Sequence, residues 1–135
     1  MANSLYDKGR EGFLDGSIDY DTDNIKIMLI DEADDTIDLA LDEDLADRAA
    51  GSRVATSGNL ASKTVTAGVA DAADVTFSSV TGDESESIDM YQDTGVEATS
   101  RLILNIDTAT GLPVTPNGGD ITVTWDSGAN KIFKL

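Results

Sequence analysis

From Asp23 onward the apolar residues come in short runs bounded by Gly, Asn, Asp or Pro, and that rhythm excludes most architectures open to a chain of 135 residues. Nine segments carry it: residues 25–30, 36–41, 53–57, 62–66, 74–80, 87–92, 99–107, 120–125 and 131–135. Val, Ile and Thr dominate them, because branched side chains fit a pleated surface better than a helix. In 36–41 the alternation puts Ile37, Leu39 and Leu41 on one side and Asp38 on the other. Short strands at this spacing predict a mainly β fold, an antiparallel β-sandwich or barrel. Pro-Asn-Gly-Gly within residues 113–119 marks a turn, and residues 126–130 predict a short hairpin between the last two strands. Ile132 and Phe133 are expected to be packed, since a terminal segment is ordered only when it docks.

The period changes in two places. Residues 42–50 predict one short helix: Asp42, Glu43 and Asp44 suit a helix N-terminus, Leu45, Ala46 and Ala49 form an apolar face, Arg48 lies near the end, and Gly51 fits just beyond it. Residues 3–16 place Asn3 or Ser4 as a cap before Leu5, Tyr6, Phe13 and Leu14, which share one face at helical spacing. Gly9 and Gly12 each cost a helix about 1 kcal/mol relative to Ala, so this stretch reads as a short helix or an arm within residues 1–20. It carries two of the seven aromatic residues. The length corresponds to one core, and residues 1–135 are read as a single domain.

Composition removes most chemistry. The chain has no His and no Cys, so imidazole and thiolate metal sites, Ser-His-Asp and Cys-His catalysis, and disulfides are all excluded. Carboxylate pairs abound among 26 acids, which makes no single pair diagnostic, and a glycosidase cleft needs more aromatics than 5%. Gly118-Gly119 lacks the Lys-Ser/Thr of a phosphate loop. The expectation is a protein that is not an enzyme and carries no cofactor.

The formal charge of −17 is uneven, net −11 over residues 1–50 and −6 over the rest. Such a surface repels phosphate and anionic lipid, so neither nucleic acid nor membrane is an expected partner. No apolar stretch approaches the 18 residues of a membrane span, and the start lacks a basic region followed by an apolar one. Synthesis and assembly in a cytoplasm are expected. Asp19, Asp21 and Asp23 begin like a calcium loop, with oxygen ligands at positions 1, 3 and 5. Asn24 then stands where a Gly is wanted and Ile30 where a bidentate Glu is needed, so the EF-hand fails and a looser metal site is what remains. Asp31, Glu32, Asp34 and Asp35 form a second acidic cluster.

Several blocks taken together carry a resemblance: NSLYDKGREGFLDG at residues 3–16, RVATSG at 53–58, DVTFSSVTG at 74–82, TATGLPVTPNGGDITVTW at 108–125 and NKIF at 130–133. In these the chain resembles a family of small virion structural proteins of tailed bacteriophages and prophages. The resemblance spans nearly the whole chain, with the final blocks the most specific, and it brings no catalytic residues. It implies a structural role in the particle, and the charge favours an outer position, away from packed DNA. The expected role is a capsid decoration, or cement, protein on the head exterior. Its partners would be the major capsid protein and copies of itself, as a homo-oligomer on the particle. Leu5, Tyr6, Phe13 and Leu14 are the candidate anchors, and ordinary core packing is their competing role. A tail or neck component is the alternative, and a Ca²⁺-dependent or carbohydrate-binding β-module is the alternative from another class.

Overall fold

The computed structural model describes residues 3–135, so Met1 and Ala2 of the expected arm lie outside the described residues. Ten strands and one helix follow in chain order: β1 (Ser4–Leu5), α1 (Asp7–Asp15), β2 (Ile25–Ile30), β3 (Arg53–Thr56), β4 (Thr64–Thr66), β5 (Val69–Asp71), β6 (Val75–Phe77), β7 (Ser87–Gln92), β8 (Leu102–Ile106), β9 (Ile121–Val123) and β10 (Phe133–Lys134). All strand pairings are antiparallel. A five-stranded sheet, β1-β8-β7-β2-β3, packs against a three-stranded sheet, β10-β5-β4, and a two-stranded one, β6-β9. The fold is mainly β and sandwich-like.

The main core lies between these layers. Ile25, Ile27 and Leu29 of β2 and Ile88 and Met90 of β7 face Ala70, Val75, Phe77 and Phe133 of the smaller sheets. The opposite face of the large sheet is also covered. There Met28, Ile30, Tyr91 and Leu102 form a second cluster with Tyr6 and Ile37, and Leu39 and Leu45 pack on it. Burial on both faces explains why β2 reads as an almost unbroken apolar run rather than an alternating one.

The helix predicted over residues 42–50 is not present; two 3-10 turns, Leu45–Asp47 and Ala50–Ser52, take its place. The Asp44 carboxylate accepts the Ala46 N–H, while Asp47 reaches back to the N–H groups of Glu43 and Asp44. That capping box closes around a single turn, and Arg48 leaves it in extended conformation with its side chain drawn toward the sheet. Residues 36–41 form no strand. Asp38 accepts the N–H groups of Ala40 and Leu41 and turns the chain, which buries Ile37 but leaves Leu41 75% exposed. The hairpin predicted at residues 126–130 is absent too, because β9 pairs with β6 and β10 with β5.

The α-helix forms at the N-terminus instead. Its two glycines are buried where it crosses the large sheet, and Gly16 ends it in the left-handed conformation with φ of 79°. A Cβ on Gly9 would lie 2.8 Å from the Ile103 carbonyl oxygen and 2.9 Å from that of Leu102. Gly9, which weakens the helix locally, is therefore what lets it lie against β8.

Candidate functional site

The candidate anchors part company in the fold. Leu5 is half-buried on β1 opposite Leu104. Tyr6 is fully buried on the other face of the sheet, where its hydroxyl donates to Asp89 Oδ1 at 2.7 Å. Phe13 sits near the C-terminal end of α1, its ring 5.7 Å from that of Phe133. Leu14 is 89% exposed beside it.

Around Phe13 the chain builds an open cleft of about 390 Å³. Ile18 and Tyr20, from the loop after α1, make one wall with Phe13, while Val65, Phe133 and Leu135 come from the three-stranded sheet and the chain end. Tyr20 meets Phe133 edge-on at 5.7 Å and donates its hydroxyl to the Asp71 carbonyl at 3.2 Å, which holds that wall in place. The burial of Tyr20 pushes its phenol well above the ordinary range. Val65 is 52% and Leu135 60% exposed, so the cleft opens apolar surface to solvent.

Two of the three aspartates considered for metal, Asp19 and Asp21, line the same cleft. Their carboxyl groups lie close enough for one, when protonated, to donate to the other, which lowers the pKa of Asp19 and raises that of Asp21. Asp23 is turned elsewhere: its Oδ2 accepts the Asp19 N–H at 2.8 Å and the Gln92 side-chain amide at 2.7 Å. The loop is closed by its own hydrogen bonds, and its three carboxylates do not converge. Among the described residues the carboxylates that do converge are Asp31, Asp34 and Asp83, with oxygens within 4.8 Å of one another. Asp31 belonged to the second acidic cluster in the sequence, whereas Asp83 arrives from a distant loop. Asp31 already accepts the Ala33 N–H, and exposed acids gather readily on so acidic a chain.

On the covered face lies a polar centre that the sequence did not announce. Asp89, in the middle of β7, is wholly buried between Met28 and Asn105 of the neighbouring strands. Asn105 donates to its Oδ1 at 2.9 Å and to Ser87 Oγ at 3.1 Å. The Arg48 guanidinium, also wholly buried, lies 3.2 Å from Asp89 Oδ2 through Nε and 3.1 Å from Asp35 through Nη1, and it contacts Asp42 through Nη2. The Nε to Asp89 approach is an ion pair outside hydrogen-bonding geometry. Burial pushes the Asp89 carboxyl up to about 6, against the opposing pull of Asn105, Tyr6 and Arg48. Burial and Asp89 likewise drive the Tyr6 phenol far upward. One signal could have located this centre. Arg48 follows nine acids in the seventeen residues 31–47 without a single base among them, so it is their natural counter-ion.

Arg48 and Asp89 are closed to solvent, while Asp35 and Asp42 keep partial access to it, and the centre ties the segment over residues 31–52 to the sheet. The cleft by α1 is open to solvent. It has apolar walls and an acidic rim. No protein-family model matches the chain, and no curated protein matches it. Among the described residues no helix is long and apolar enough to cross a membrane.

Proposed function

We propose that this chain is a structural protein of a tailed-phage particle, a decoration protein that binds the outer surface of the head shell and stabilises it. The observation that carries the reading is the open cleft beside α1, which presents Phe13, Val65 and Leu135 at the surface. The resemblance of residues 3–16, 108–125 and 130–133 to small virion proteins supplies the class of particle. A charge of −17 supports an outward position, because close approach to packed DNA is unfavourable. Stabilisation follows by linkage: a ligand of the assembled shell that does not bind separated subunits favours assembly.

The test is to mix the purified protein with undecorated heads of the source phage and sediment them. Hundreds of copies per head, with heads that survive greater heat, are expected. A few copies confined to the neck or tail would replace this reading with a tail component, and no binding to either would overturn it. Measuring the same binding in rising salt reports how far charge steers the encounter.

A further inference from the structure

We infer that the cleft beside α1 and the free edge of β4 form one docking groove for an extended, cationic segment of a partner protein, anchored by an apolar side chain. This rests on the reading of the chain as a partner-binding structural protein and names the chemistry of the partner at that site.

Three independent features converge there. The first is an unpaired strand edge. Among the described residues β4 is the outermost strand of its sheet, with β5 as its single neighbour, and all three of its residues are exposed. The β4–β5 connection is a two-residue hairpin with Ala67 at φ 53° and Gly68 at φ 78°. In such a hairpin Thr66 and Val69 exchange hydrogen bonds, and the next pair, Val65 and Ala70, does not. The Ala70 carbonyl accordingly accepts from Ile132 on the far side of the sheet. By the same alternation the N–H and C=O of Val65 point away from β5, toward the open edge, where an added strand finds them.

The second is the apolar volume beside that edge. Val65 belongs to both features, since its backbone faces the edge while its side chain lines the cleft with Phe13 and Leu135. A segment lying along β4 therefore places a Leu- or Phe-sized side chain over an apolar floor. The third is charge. Asp19 and Asp21 line the cleft, Lys63, which donates to the Asp23 carbonyl and acts on Asp21, offsets only part of their charge, and the whole molecule carries −17. A second copy of this chain brings the same charge to the same rim, and an anionic lipid surface does likewise, so the complementary occupant is basic.

The test uses the isolated, isotope-labelled full chain and three ten-residue peptides: one alternating Lys and Leu, one alternating Glu and Leu, one alternating Lys and Ser. The expected result is that the Lys/Leu peptide shifts amide resonances in residues 13–21, 64–70 and 133–135, with affinity falling as salt rises. The Glu/Leu peptide should leave those resonances in place, and the Lys/Ser peptide should bind at least tenfold more weakly for want of an anchor. Val65→Pro removes an N–H that β5 does not use, so it should abolish binding while leaving the fold. The double variant Asp19→Asn/Asp21→Asn should weaken binding about five-fold, as expected for two exposed ion pairs. Melting curves confirm that each variant is folded.

Shifts that map elsewhere, equal binding of the acidic peptide, or full binding by folded Val65→Pro would overturn the groove. So would self-association of the unmodified chain that Val65→Pro removes, since it would assign the edge to a second copy. Head binding is scored separately. Peptide failure with retained head binding rejects the groove alone, and groove binding without head binding rejects the decoration role alone.

Discussion

Replacing Arg48 by Met should destabilise the protein strongly at pH 8 and much less at pH 5. Met keeps the length and packing of the side chain while removing the guanidinium that Asp35, Asp42 and Asp89 share. Taking one partner from a buried ion pair typically costs about 3–5 kcal/mol, because the remaining charge is left without compensation. For a chain of this size that is a fall in melting temperature of about 10–20 °C. The pH dependence comes from Asp89, whose carboxyl burial holds at about 6. At pH 8 it is ionised and needs Arg48; at pH 5 it is mostly neutral, and the loss falls on Asp35 and Asp42, which keep partial access to water. About half the cost should disappear on that change. Urea unfolding followed by far-ultraviolet circular dichroism and Trp125 fluorescence measures it. A cost equal at the two pH values, or below about 1 kcal/mol at pH 8, would refute the view that this centre clasps the segment to the sheet.

Four further outcomes are expected. Because the folded pKa of Asp89 lies above its ordinary value of 3.8, its stabilising contribution is complete at low pH and is lost as pH rises through about 6. The stability of the native protein relative to Asp89→Asn should therefore fall by up to about 3 kcal/mol between pH 4 and pH 7, measured by urea titration at each pH. Gly9→Ala should destabilise by about 1–3 kcal/mol although Ala is the better helix former, because its Cβ meets the backbone of Leu102 and Ile103. Gly12→Ala, whose Cβ meets mainly the Ile18 side chain, should cost less, and the reverse ranking in thermal melts would contradict the packing of α1 on β8. Ala67→Asn should stabilise by about 0.5–1 kcal/mol, since φ of 53° suits Asn better than Ala, and an unchanged denaturation midpoint would argue against this turn. A calcium chelator should leave the melting temperature unchanged, because Asp23 is engaged by Asp19 and Gln92; a clear drop would reinstate a metal at the acidic loops.

The strands most legible in the sequence were those in which burial and β propensity agree. Residues 25–30 and 87–92 match β2 and β7 to the residue, as neither strand contains Gly or Pro and punctuation lies beyond their ends. Val69–Asp71 escaped notice because its hairpin turns on Ala-Gly rather than Asn-Gly, and three residues are too few for periodicity to register. Residues 42–50 looked helical because acidic N-termini and spaced apolar residues are shared by a helix and by a capped single turn. The difference lay in Arg48, whose destination is a carboxylate on a strand 41 positions later.

The candidate site divides in the same way. Phe13, Leu14, Asp19 and Asp21 could be singled out as residue types in the chain, but their meeting with Val65, Phe133 and Leu135 required β4, β5 and β10 to assemble beside α1.

By itself, then, the sequence determined a β class, an acidic surface and the exclusion of His and Cys chemistry, since these follow from residue type and short-range period. The tertiary structure alone decided which strands pair and which edge stays open. It also decided where Arg48 is buried and that α1 lies on β8 through Gly9. The reason is physical: local propensity is a property of neighbours in the chain, whereas desolvation, ion pairing and strand register depend on groups up to a hundred residues apart.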